Sequence, residues 1–213
     1  MIGIVYATRQ EADPFLERTS AEIVAVHPLL LFRVPGAGRS PCILVVSGMG
    51  KVAAALAAAH LVLTHRVTML VSAGLCGRLT MDGRWSAGDL LRVSSAVEGD
   101  CDRFGRAEPT VACDTRWFKN LKTARLVTND QPVFDTGWRR RLAGIADLAD
   151  MEGAAVARAA DLYGIPCAML KGVSDAADER GRQDVASHID WVSGRIAEAL
   201  VGELTLIATD NQP

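Results

Sequence analysis

The strongest constraint on how this chain folds is a recurring series of short runs dense in Val, Ile and Leu, several of them apolar on both faces. They lie at 1–6, 22–26, 29–34, 42–47, 67–73, 89–97, 124–128, 146–151 and 165–171. A strand without a polar face cannot border water, so it belongs inside a sheet that is covered on both sides. The stretches between supply that cover. Residues 51–65, rich in Ala and Leu, are expected to form a helix buried nearly all round, and 152–163 reads as another. Val185, Ile189, Val192, Ile196 and Leu200 recur at spacings of four and three, the stripe of an amphipathic helix. Helices alternating with strands predict an α/β fold. One domain over residues 1–209, with a mixed central sheet flanked by helices, is expected, followed by a frayed tail at 210–213.

Charge and composition narrow the partners. With 23 Lys and Arg against 25 Asp and Glu, the formal net charge is −2, which gives no basis for binding nucleic acid or an anionic membrane. The run Arg139-Arg140-Arg141 is expected on a solvated helix face. No apolar stretch is long enough to span a bilayer and the N-terminus has no basic flank, so cytoplasmic residence is expected. The five cysteines form no C-x-x-C pair and suit buried thiols in a reducing compartment. The four histidines lack metal-ligand spacing, His60 and His65 missing the i, i+4 pairing, and no metal site is expected.

Four segments set polar groups or glycines just after strand candidates, where open α/β sheets bind ligands. They are Ala7 to Asp13, which holds Glu11; Ser47-Gly48-Met49-Gly50-Lys51; Ser72-Ala73-Gly74-Leu75-Cys76-Gly77; and Asp150-Met151-Glu152-Gly153. Ser174 and Asp175 join them from the last strand. Each has a structural explanation. Glu11 and Glu152 suit the first turn of a helix, Asp175 suits a cap, and the glycines suit tight turns without matching a dinucleotide or Walker fingerprint. Together they still gather three carboxylates and two glycine turns at one edge of one sheet.

The order of these segments resembles the purine nucleoside phosphorylase/uridine phosphorylase superfamily, most closely its branch of 5'-methylthioadenosine/S-adenosylhomocysteine nucleosidases. The resemblance runs from residue 2 to about 178 and is carried by IGIVYATRQE (2–11), SGMGKVAAA (47–55), SAGLCGRL (72–79), GDLLRVS (88–94), VTND (127–130), DMEGAAVA (150–157) and GVSDAAD (172–178). It implies hydrolysis of the N-glycosidic bond of a purine nucleoside, with a 5'-modified adenosine as substrate and release of the base, and with neither metal nor organic cofactor. It further implies that Asp175 protonates or hydrogen-bonds purine N7, with Ser174 beside it, and that Glu11 handles the attacking water. Glu152 would bind the ribose hydroxyls with Met151 under the sugar. Val133 would sit where backbone receives the adenine edge, and Met49 and Gly74 would complete the substrate contacts. The chemistry needs these types: the leaving base takes a proton, the oxocarbenium-like sugar takes nearby negative charge, and water needs a base.

The chain also departs from that pattern. Phosphorylases of the superfamily carry a Gly-Asp-Pro-x-Arg loop after the first strand, whereas this one reads Ala7-Thr8-Arg9-Gln10-Glu11, whose glutamate repels phosphate and suits water. Arg9 and Arg78 leave phosphorolysis as the alternative. The segments before Phe104-Gly105 and before 124–128 are shortened. Leu75 replaces a small polar residue near the water site, and Lys171 stands in place of arginine. GLCG and MEGAA are similar to futalosine hydrolase and hopanoid-associated branches, so a nucleoside of those kinds is a further alternative, as is a binding module that has lost the chemistry. Phe104, Trp117 and Phe118 in the shortened segment 98–118 are expected to be exposed and to mark a homodimer interface.

Overall fold

The computed structural model describes residues 1–35, 41–101, 104 and 109–210. In chain order the first elements are β1 (Ile2–Tyr6), α1 (Arg9–Arg18), β2 (Glu22–Ala25), β3 (Leu30–Val34), β4 (Cys42–Val46) and α2 (Lys51–His65). Then come β5 (Met69–Arg78), β6 (Leu90–Glu98), β7 (Val111–Ala112), β8 (Lys122–Thr128) and α3 (Thr136–Leu142). The chain closes with β9 (Leu148–Asp150), α4 (Gly153–Leu162), β10 (Cys167–Asp175) and α5 (Gly181–Asp210). All these strands join one mixed sheet, as the alternation of apolar runs predicts.

The runs without a polar face take the centre. Every residue of β1 and β10 is buried, whereas β2, at the outer edge, leaves Ile23 and Val24 exposed. β1 pairs in parallel with β4 on one side and β5 on the other, and β3 and β2 continue outward in antiparallel fashion. The long strand β5 turns this open sheet into a ring. Its first half lies beside β1, its length runs parallel to β10, and its last residues, Gly77 and Arg78, pair antiparallel with β9. β10 pairs on with β6, β6 with β8, and β8 with β9, which closes the circuit back to β5. One apolar core lies under α2 and α4, and a second, on the other face, under α1 and α5. The C-terminal stripe divides its work: Val192, Ile196 and Leu200 are fully buried in the second core, while Val185 and Ile189 sit higher on α5 and line a cavity.

Several expectations need correction. α2 is not buried all round. Ala54, Ala57, Ala58 and Leu61 face the sheet and α4, but Val52, Leu56 and Leu63 point outward, because the helix forms an outer layer with one inward face. Trp117 and Phe118 are buried rather than exposed, since they tuck under α5, where the Phe118 N–H donates to Glu203 Oε1 at 2.9 Å. Phe104 is exposed, whereas Gly105 lies outside the described residues. Asp210 closes α5 instead of starting a tail, and 211–213 also lie outside the described residues. The strand expected over 146–151 is limited to Leu148–Asp150.

Arg139 is the remaining correction. Arg140 and Arg141 are solvated, but Arg139 turns inward and is 6% exposed. Its Nε donates to Leu79 O at 3.1 Å and its Nη2 to Thr80 O at 2.7 Å, satisfying carbonyls at the end of β5. Removing the donor takes this partner from the Leu79 carbonyl and leaves Thr80 O with only the longer bond from Arg78. Arg139→Met should therefore lower the unfolding free energy by about 1–3 kcal/mol in chemical denaturation, while Arg140→Met should change it by less than about 0.5 kcal/mol.

Candidate active site

The C-terminal ends of β1, β5, β9 and β10 open into a cavity of about 430 Å³ that is walled on its far side by α5. Glu11, Met49, Val133, Met151, Glu152, Ser174 and Asp175 all line it. Gly74 does not. It lies behind Glu11, where a Cβ would stand 3.0 Å from Glu11 Oε1, so its lack of a side chain makes room for the carboxylate.

Glu11 owes its position to a capping box at the start of α1. The Thr8 N–H and hydroxyl donate to Oε2 at 3.0 and 2.7 Å, and the Glu11 N–H donates to Thr8 Oγ1. The other carboxylate oxygen, Oε1, accepts the Leu75 N–H at 3.0 Å. The structural explanation of this residue therefore holds, and the same bonds aim the carboxylate at the cavity. The pattern Thr8-Arg9-Gln10-Glu11 carries that signal in the sequence.

Glu152 is the N-cap residue of α4 but makes no capping bond with its side chain. Its Oε1 instead reaches across the cavity floor to accept the Gly50 N–H at 2.8 Å. Gly50 has φ 95°, a conformation that favours glycine, and this turn from β4 into α2 presents the N–H to the carboxylate. Burial first, then the charge of Asp150, pushes Glu152 up to about 7, against the pull of Lys171 and the Gly50 bond.

Asp175 follows an irregularity in the β5–β10 pairing between Val173 and Asp175, which re-aims the strand end. Its Oδ2 accepts the Ser174 hydroxyl at 2.7 Å and its Oδ1 accepts the Ala177 N–H at 2.7 Å. It thus also closes the turn after the strand. Burial raises its pKa above the usual carboxylate range despite these two bonds. A carboxyl so placed takes up a proton more readily than an exposed aspartate does.

Other residues around the site were given no role by the sequence. Asp150 sits beneath Glu152, accepting the Gly153 N–H at 2.8 Å and pairing with Lys171 Nζ at 2.8 Å. The signal for Lys171 was a lone cation inside the apolar run 165–171. Pro132, Phe134, Arg182, Val185 and Ile189 also line the cavity, and their local sequence gives no sign of it. Arg9 and Arg78 do not line it. Arg9 is exposed and pairs with Asp13, and Arg78 donates to Thr80 O at 3.3 Å. Among the described residues, the arginine that does line the cavity is Arg182 of α5, whose guanidinium lies 5.7 Å from the Phe134 ring centroid.

The chain has recognisable relatives. An aminodeoxyfutalosine nucleosidase of Helicobacter pylori strain J99 is 26% identical over 230 residues, which cover 95% of this chain and 99% of that protein. A 5'-methylthioadenosine nucleosidase of Arabidopsis thaliana is 33% identical over 163 residues, covering 72% of this chain and 60% of its own length. Among solved structures, a 5'-methylthioadenosine/S-adenosyl homocysteine nucleosidase of Helicobacter pylori superposes with a TM-score of 0.88 at 23% identity, covering 95% of this chain and 97% of that one. One from S. pneumoniae, solved with a transition-state inhibitor, also gives 0.88, at 22% identity and 97% and 99% coverage. At these identities the structural likeness speaks for the fold. A family model described as the phosphorylase superfamily matches residues 1–204, every strand and every residue of the cavity included, and the chain belongs to that superfamily.

Proposed function

We infer that this protein is a purine nucleosidase that hydrolyses the N-glycosidic bond of a 5'-modified adenosine and releases the base. The observation that carries the reading is the meeting of Glu11, Glu152 and Asp175 in one cavity of about 430 Å³, a size that suits a small ligand. The nucleosidase names of the curated relatives support the same reaction.

The roles follow from the surroundings. Asp175, whose burial favours the protonated form, donates to N7 of the leaving purine, and Ser174 fixes its carboxyl. Val133, which lines the pocket next to Phe134, receives the adenine edge with its backbone. Glu152 accepts the ribose hydroxyls, with Met151 and Met49 against the sugar. Its charge also favours the cationic sugar of the transition state. Glu11 takes a proton from the attacking water. These side chains supply the proton, the base and the charge, so the reaction as written calls on no metal or organic cofactor. Water is the acceptor rather than phosphate because Glu11 occupies the position after β1 and neither Arg9 nor Arg78 faces the cavity.

The same reading includes a homodimer and a cytoplasmic site of action. Met49, Val52, Leu56 and Leu63 form an exposed apolar stripe along α2, and Met49 also belongs to the cavity lip. None of the five cysteines is in a disulfide, which suits a reducing compartment.

Kinetics with a substrate panel and site variants, a pH profile and molecular size test this. In a panel of methylthioadenosine, adenosylhomocysteine, aminodeoxyfutalosine, inosine and adenosine, base release should occur from a 5'-modified adenosine without phosphate. A strict phosphate requirement would assign the protein to phosphorolysis, and tight binding without any base release would make it a binding module. Asp175→Asn should lower kcat by about 10²–10⁴ with little loss of affinity, and Glu11→Gln should likewise spare binding and stop hydrolysis. Glu152→Gln should weaken ground-state binding by about 1–3 kcal/mol.

The second measurement is the pH profile. Ionised Glu152 is the hydroxyl acceptor, so its protonation on going below about pH 7 should depress kcat/KM, and Glu152→Gln should abolish that acid limb. The third is size. Light scattering should give a dimer for the wild type and a monomer for Leu56→Asp; a wild-type monomer at micromolar concentration would contradict the dimer.

A further inference from the structure

Among the charges that the mechanism leaves unused is a buried cation paired with Asp150 of the cavity wall. Lys171 lies in the middle of β10 with its side chain 2% exposed, and its Nζ meets Asp150 Oδ2 at 2.8 Å. The same oxygen accepts the Gly153 N–H, and Oδ1 accepts the Thr128 hydroxyl, so Asp150 is fixed at the head of α4. Glu152, two residues further on, is fixed by Gly50. On the other side, Lys171 Nζ and Glu11 Oε1 both crowd Gly74: a Cβ there would stand 3.9 Å from the nitrogen and 3.0 Å from the oxygen. The remaining titratable neighbours are Cys76 from β5, Cys113 just after β7, and Cys167 on the strand of Lys171 itself. Burial keeps all three thiols protonated. One buried cation therefore stands among three carboxylates: Glu11, Asp150 and Glu152.

We propose that Lys171 is a positioning residue that, by neutralising Asp150, keeps the neighbouring Glu152 in the charged form that accepts the sugar hydroxyls. Two carboxylates this close in sequence, one buried and the other half-buried, disfavour each other's ionisation unless a charge compensates them. The electrostatics agree with the geometry. Burial opposes the ammonium, yet Asp150 and Glu152 hold Lys171 up at about 12, so it stays charged. What Glu152 does for substrate rests on the nucleosidase reading; how Lys171 controls its charge does not.

The test is a ¹³C NMR titration of the glutamate carboxyls in the free protein, with Glu152→Gln identifying the Glu152 signal, followed by the pH profile of kcat/KM. Lys171→Met should move the Glu152 midpoint, and the acid limb with it, up by about one to three pH units. Lys171→Arg, which keeps the charge, should leave both near wild type. Asp150→Asn removes the rival carboxylate and keeps the cation, so it should move the midpoint down, and it provides the reading should Lys171→Met fail to fold. A Glu152 midpoint that is unmoved in either folded variant overturns the proposal. A wild type that releases no base from any nucleoside overturns the nucleosidase reading instead, and the titration still judges Lys171.

Discussion

Withdrawing several carboxylates from water into one mostly apolar cavity is the constraint around which this structure is organised. Burial favours the neutral form of a carboxyl group in general, and a second carboxylate nearby adds to that. The pairing of Lys171 with Asp150 answers that constraint, and it does so between strands: the lysine comes from β10 and the aspartate from β9, both of which flank β5. The pair therefore ties together two members of the closed ring of strands. Removing one partner alone would leave an uncompensated buried charge, which is far costlier than losing the attraction itself. The ring and the electrostatics of the cavity depend on the same contact.

A second theme is that the groups of the cavity also hold the backbone. Glu11 completes a capping box, Asp175 closes the turn after β10, and Glu152 receives the N–H of Gly50. Each carboxylate thus has its rotamer fixed before any ligand arrives. Such preorganisation is what electrostatic catalysis needs, because no reorientation is left for the moment of reaction. The structural explanation of each residue and its chemical role are compatible for this reason.

How much of this could be read beforehand depended on whether the information was local. The doubly apolar runs announced β1, β4 and β10, and the polar residues just after them announced Glu11, Ser174 and Asp175. The resemblance of the ordered motifs added the roles of Glu152, Met151 and Val133, roles that the cavity accommodates without itself testing them. Long-range packing was not legible. Nothing near Arg139 tells that its guanidinium would reach the end of β5, while Arg140 beside it stays in water. Trp117 and Phe118 read as a surface patch because the helix that covers them, α5, lies far along the chain. The closure of β5 onto β10, β6, β8 and β9 likewise depends on pairings that no single strand encodes. Gly74 was noticed as a glycine, but its use, admitting Glu11 and Lys171 to the same space, is visible only in three dimensions.

The central claim is that water, activated beside Glu11, attacks the sugar as Asp175 releases the purine. It is tested most directly by single turnover in H₂¹⁸O with phosphate present, followed by mass spectrometry of the sugar product. The account predicts that the heavy oxygen is found on the anomeric carbon of a free sugar. A sugar 1-phosphate without the label would contradict it.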